Sequence, residues 1–261
     1  MDRRTVLKYS FMIGTLCTLE AILPAVAKAA EISGNKSHWG YIGAEAPERW
    51  GKLSTEYRVC SVGVGQSPIN LSDPVKAELG ELEISYQDSP LKILHNGHTV
   101  QINYAPGSTI SFDNQEFELL QFHFHDPSEH TLNQRKFAME MHLVHKNNQT
   151  GNLAVLGVFI KKGTENQALK SIWQNMPQQE MPEATIAEVS INALQLLPSE
   201  ITHFYRYHGS LTTPPCSEVV DWVVLAQPIE ASAQQIDQFI ATVGVDARPV
   251  QPLGKRVLRL S

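Results

Sequence analysis

Two short stretches constrain this chain more than any others: Gln121–His130, read as QFHFHDPSEH, and Met139–His145, read as MEMHLVH. In the first, Leu120, Phe122 and Phe124 alternate with Gln121, His123 and His125. Period-two alternation is the mark of a strand, so the two histidines share one face with Cβ atoms about 7 Å apart. That separation suits two corners of one tetrahedral metal site. Asp126-Pro127 ends the strand, because proline cannot donate to a ladder. The second stretch alternates again, with Glu140, His142 and Val144 on one face and Met139, Met141, Leu143 and His145 on the other. If the two strands pair, His142 completes a three-histidine set. Three imidazoles with an open fourth position are a catalytic zinc pattern, whereas structural zinc sites fill all four positions with Cys and His. Metal-bound imidazoles commonly donate their second N–H to an oxygen acceptor, and Gln121, Glu140 and backbone carbonyls are the candidates.

The rest of the chain bounds this reading. No linker-like run divides the 261 residues, and 42% apolar residues suffice for a sizeable core. A net charge of −6 argues against a nucleic-acid surface. Residues 1–30 read as an export signal. Arg3-Arg4-Thr5-Val6-Leu7-Lys8 fits a twin-arginine pattern and is followed by a mostly apolar Tyr9–Val26. Glu20 and Pro24 interrupt that run, so no stable membrane span is expected after processing. A periplasmic or secreted protein is predicted. Cys17 falls in the leader, leaving Cys60 and Cys216, an even count that suits an oxidising compartment.

Strands are predicted at Glu83–Tyr86, Lys92–His95, Thr99–Tyr104, Ser108–Phe112, Gln115–His125, Leu153–Lys161, His203–Tyr207 and Val219–Leu225. Asn96-Gly97 suits a tight hairpin turn. Thr164–Gln167 reads as a capping box that opens a helix through Trp173. Ser232–Thr242 reads as a second capped helix with Ile236, Phe239 and Ile240 inward. Met181–Ile191 reads as irregular.

The motifs FHFH, SEHT, MEMHLVH and SLTTPP, with HWGY at His38–Tyr41, GQSPIN at Gly65–Asn70 and NGH at Asn96–His98, resemble the α-class carbonic anhydrases in unbroken order from about residue 36 to 260. With the strand pattern, the resemblance implies a mainly β (α+β) fold. It would be a single domain over 31–261, on a large, mostly antiparallel sheet with short peripheral helices. It implies His123, His125 and His142 as Zn2+ ligands, and reversible hydration of CO2 to bicarbonate by zinc-bound hydroxide. His98 takes the place of the proton shuttle, with His95 and His38 as rivals. Glu129 would orient Thr212. Val144, Val155, Leu211 and Trp222 would wall the CO2 pocket, with Thr213 also at the substrate, Tyr41 near ordered water, and Gln101 and Gln121 as polar lining. It implies that Cys60 pairs with Cys216 and that the Arg248–Leu260 tail adds an edge strand. Pro214-Pro215 stiffens its loop and makes one X–Pro bond there a candidate cis bond, though the sequence does not say which. Anions and sulfonamide-type compounds are the expected inhibitors. A zinc-binding protein without turnover and a zinc esterase are the rival functions. Neither the oligomeric state nor the direction of the reaction is legible.

Overall fold

The computed structural model describes residues 38–261; the predicted leader lies outside the described residues. In chain order the strands are β1 Asn70–Leu71, β2 Val75–Lys76, β3 Glu83–Ser85, β4 Ser89–His95, β5 Val100–Asn103, β6 Thr109–Phe112, β7 Gln115–His125 and β8 Thr131–Leu132. They continue as β9 Met139–Lys146, β10 Leu153–Lys162, β11 Met181–Ile191, β12 Phe204–Gly209, β13 Val220–Leu225, β14 Ile229–Ala231 and β15 Arg259–Leu260. Four short helices accompany them: α1 Trp50–Leu53, α2 Val59–Val62, α3 Gln167–Trp173 and α4 Ala233–Val243.

Thirteen of these strands form one sheet, whose main path runs β11-β4-β5-β7-β9-β10-β13-β12-β15-β2. Pairing is antiparallel except at β10–β13, β10–β14 and β15–β2. The architecture is the mainly β one expected. The two histidine strands are neighbours at its centre. Alternation sorts their side chains. Phe122, Phe124, Met139, Met141 and Leu143 enter a large apolar cluster with Leu169, Ile172, Trp173, Ile236 and Phe239 of α3 and α4. Burying one such side chain contributes on the order of 1.5–3 kcal/mol, which is what seats the helices on that face. His145 also lies among buried residues; its Nε2 is 2.7 Å from the Tyr86 hydroxyl, and burial lowers its pKa to about 3, so the ring is neutral.

Several expectations need correction. Leu120 does not share the buried face of Phe122. A register shift between Leu119 and Gln121 adds a residue, Leu119 takes the core position, and Leu120 is 40% exposed. Met181–Ile191 is a strand. It pairs with β4 alone at the sheet edge, and two register shifts break its alternation. Such an edge also tolerates Pro182. The α3 cap is Asn166, whose side chain accepts from the backbone N–H groups of Ala168 and Leu169; Thr164 instead donates its hydroxyl to Glu230. In α4 the capping box forms between Ser232 and Gln235, but Ile240 is 38% exposed while Ile236 and Phe239 are buried. The tail strand β15 is not the edge, because β2 pairs outside it. Asn96-Gly97 sits in a four-residue connection between β4 and β5, where Gly97 has φ +86° and the Asn96 side chain accepts from the backbone N–H groups of His98 and Thr99.

Candidate metal centre

Register across the sheet builds the site. One row places Gln101, His123, His142 and Gly157 side by side on β5, β7, β9 and β10. The next places Gln121, Val144, Val155 and Trp222 on β7, β9, β10 and β13. A third places His125 beside Glu140. The expected histidines therefore come together. Their ligand nitrogens lie within 4.8 Å of one another.

The second nitrogen of each ring is already committed. His123 Nδ1 is 2.9 Å from Gln121 Oε1, His125 Nδ1 is 2.9 Å from the Asp246 carbonyl oxygen, and His142 Nε2 is 3.0 Å from Glu140 Oε1. An imidazole that donates from one nitrogen presents a lone pair on the other. That leaves Nε2, Nε2 and Nδ1 as the nitrogens available to a metal. Burial, and then the neighbouring charges of His125 and His142, hold His123 well below the ordinary histidine range, so its ring is neutral. His125 Nε2 is buried without a hydrogen-bond partner, as is Glu129 Oε2, 3.6 Å away. Buried polar atoms are costly when unpaired, and a cation bound by these nitrogens would satisfy the first of them. The donor set fits zinc.

Burial opposes the ionisation of Glu140, but the charges of His130 and His142 and hydrogen bonds from both outweigh it, holding the carboxyl well below the usual range. Gly157 makes room for it: a Cβ there would stand 3.2 Å from Glu140 Oε1. Glu129 is fully buried, and its Oε1 accepts the backbone N–H of Arg248 at 2.8 Å. The Arg248 guanidinium is itself buried, donates to the carbonyls of Cys60 and Ser67 and to Gln66 Oε1, and is brought down to about 10 by desolvation.

Thr212 is buried in the loop after β12, which Leu211 N–H to Ser217 O and Cys216 N–H to Thr213 O bonds hold. Cys60 and Cys216 form the expected disulfide, and of the X–Pro bonds in the loop it is Pro214–Pro215 that is cis. Val155 and Trp222 are buried, and Val144 and Leu211 pack against the same apolar cluster. A cleft of about 120 Å³ opens onto the site between His123, His125, Gln101, Gln121, Thr213, Tyr41 and His98. Burial, then Glu129 and Asp246, push the Tyr41 phenol well above its ordinary value, so it stays protonated. His98 stacks on Trp39 with ring centres 3.7 Å apart, and desolvation, then His38, lower its pKa. Of its rivals, His95 is buried and its Nδ1 accepts the Gly97 N–H, while His38 lies out beside Glu45.

Asp246, Arg248, His130 and Gly157 were not picked out as functional from the sequence. Asp246 and Arg248 meet His125 and Glu129 through backbone atoms, which carry no side-chain signature, and His130 belongs to the SEHT motif without a role of its own there.

The eukaryotic-type carbonic anhydrase family model matches residues 45–261. A carbonic anhydrase of Nostoc sp. is 43% identical over an alignment covering 98% of this chain and 96% of that protein. One from Klebsiella pneumoniae is 44% identical, covering 85% and 90%. The solved α-carbonic anhydrase of Thermovibrio ammonificans, in complex with the inhibitor sulfanilamide, matches with a TM-score of 0.82 at 42% identity, over 85% of this chain and 99% of that one. With the family model matching residues 45–261 and relatives more than 40% identical over most of their length, the chain belongs to the eukaryotic-type, or α, carbonic anhydrase family.

Proposed function

We propose that His123, His125 and His142 hold Zn2+ and that the chain uses it to interconvert CO2 and bicarbonate. The observation that carries this reading is the set of three imidazoles whose remaining nitrogens are each engaged by a fixed oxygen acceptor. When bound, zinc supplies Lewis acidity that lets water ionise near neutral pH, for which carbonic anhydrase is itself the standing example.

The chain's own residues do the rest. Gln121, the Asp246 carbonyl and Glu140 fix the ligand rings. Glu129 Oε2 is buried with no hydrogen-bond partner, so its lone pairs are available to the Thr212 hydroxyl proton, a bond the structure does not itself form. Thr212 Oγ, having donated, is left to accept from the attacking oxygen and so aims that oxygen's lone pair. Val144, Val155, Leu211 and Trp222 form an apolar wall that holds CO2 and excludes water, with Thr213 at the mouth. Tyr41, protonated, is placed to hold a water there. His98 takes the released proton on its ring and passes it to solvent. Sulfanilamide and small anions are proposed to compete for the same position.

The test is stopped-flow CO2 hydration on the oxidised chain with zinc quantified in the same sample. One zinc per chain with fast turnover is expected; zinc without turnover would favour the rival binding-protein function. His98→Ala should lower kcat about 10-fold or more in weak buffer, leave kcat/KM for CO2 nearly unchanged, and be rescued by added imidazole. An unchanged kcat would transfer the shuttle role elsewhere.

For residues 1–30 we retain the reading as a leader that sends the protein to the periplasm or medium, which the Cys60–Cys216 disulfide supports. Replacing Arg3 and Arg4 with Lys should keep the protein in the cytoplasm; export at the normal level would reject the twin-arginine route.

A further inference from the structure

Behind the ligands runs a buried hydrogen-bonded chain. His142 Nε2 meets Glu140 Oε1 at 3.0 Å. Glu140 is also met by His130, through Nδ1 at 2.7 Å and through the backbone N–H at 2.8 Å. A carboxylate only accepts, so all three nitrogens donate to it. On the far side, His130 Nε2 lies 2.7 Å from the Tyr207 hydroxyl. The Tyr207 hydroxyl also lies 2.9 Å from Ser67 Oγ. Ser67 and Ser210 are joined twice: the Ser210 N–H donates to Ser67 Oγ at 3.0 Å, and the Ser67 N–H donates to Ser210 Oγ at 2.9 Å. Ser210 Oγ then donates to the carbonyl of Leu211, the residue before Thr212. Every one of these residues is at most 1% exposed, so water offers none of them a substitute partner.

The arrangement has a consequence for His142. Its Nδ1 can face the other two ligands only while its ring is held at Nε2, and Glu140 supplies that hold. The Glu140 carboxylate is in turn fixed by an imidazole that would be free to tilt were its Nε2 not engaged. Resting on the reading that these histidines bind zinc, we propose that Tyr207 is a positioning residue. Its hydroxyl fixes His130, and through His130 and Glu140 it fixes the ring of His142. Its bond to Ser67 ties the same chain to the loop that carries Thr212. Ligand and loop are thereby held in one register.

The experiment loads wild type, Tyr207→Phe and Tyr104→Phe with zinc as full oxidised chains and follows zinc release to excess EDTA beside thermal unfolding. Phenylalanine keeps the ring that stacks parallel to Trp222 and removes only the hydroxyl. Direct partners of a ligand are worth 10–100-fold in metal affinity, so a hydroxyl two links further out should speed release by about 3- to 10-fold. Tyr104 is the control. Its hydroxyl donates to the Gln87 carbonyl and accepts the Ala193 N–H within the other apolar cluster, so its removal should lower the Tm and leave release unchanged. Ser67→Ala cuts the chain beyond Tyr207 and should speed release less; it stands in if Tyr207→Phe does not fold. Release from Tyr207→Phe at the wild-type rate, or equal acceleration in Tyr104→Phe, would show that the hydroxyl merely stabilises the fold. A wild-type chain that retains no zinc would overturn the zinc reading itself and this inference with it.

Discussion

His142→Ala is expected to yield a folded chain without stoichiometric zinc and to lower CO2 hydration by at least about 10⁴-fold, a fraction of the acceleration enzymes ordinarily supply. His142 is the ligand candidate that β9 contributes, set in register beside His123 of β7. Two imidazoles would remain, which is one fewer than catalytic zinc sites use. The substitution also takes from Glu140 one of its three donors and leaves the carboxylate buried with His130 alone. It opens a gap beside Trp222, whose ring centre is 4.8 Å from that of His142. Zinc content and stopped-flow rates measured on one sample decide the matter. An alanine variant that stays zinc-loaded and active would refute the assignment of the ligands.

Replacing Cys60 and Cys216 together with serine is expected to reduce the free energy of unfolding by about 3–5 kcal/mol. The bridge spans a sequence separation of 156, and closing so long a loop removes much of the entropy of the unfolded chain, on the order of 5 kcal/mol in that model. A loss of this size is a large part of the 5–15 kcal/mol typical of a domain. The effect should reach the site as well. The Cys60 carbonyl accepts from the buried Arg248 guanidinium, whose own backbone N–H holds Glu129, and the Cys216 N–H braces Thr213. Urea unfolding of the double variant, with hydration rates taken below the transition, measures both. A stability change under about 1 kcal/mol would mean that the unfolded state is restrained by something other than the bridge.

What could be read from the sequence follows a physical divide. His123, His125 and His142 were legible because strand alternation is local and puts like side chains on one face. The same rule misplaced Leu120, because a bulge that inserts one residue inverts the phase without altering the composition. Met181–Ile191 hid its strand character for a related reason: an edge strand paired on one side and shifted twice in register has no stable period. At α3 the cap falls to Asn166, two residues beyond the start of the predicted box, because the hydroxyl of Thr164 is drawn off by Glu230, over 60 residues away. Asp246 and Arg248 were illegible as site residues because they act through a carbonyl and an N–H that every residue type possesses. The resemblance to a family supplied the roles of Thr212, Glu129 and His98, which no periodicity could have assigned.

The ligands and their supports differ in how far along the chain they must come. His123 and His142 meet through strands β7 and β9, within one short meander, whereas Arg248 reaches Glu129 across 119 residues and Asp246 reaches His125 across 121. Contacts between near neighbours close small loops and form early, while distant ones wait on larger losses of chain entropy. By that rule the pairing of β7 with β9, which sets His123 beside His142, costs less chain entropy than the tail contacts that hold Glu129 and the His125 ring. The register of the histidine rows is thus a local property of the sheet, whereas the contacts that hold Glu129 and the His125 ring belong to the whole chain.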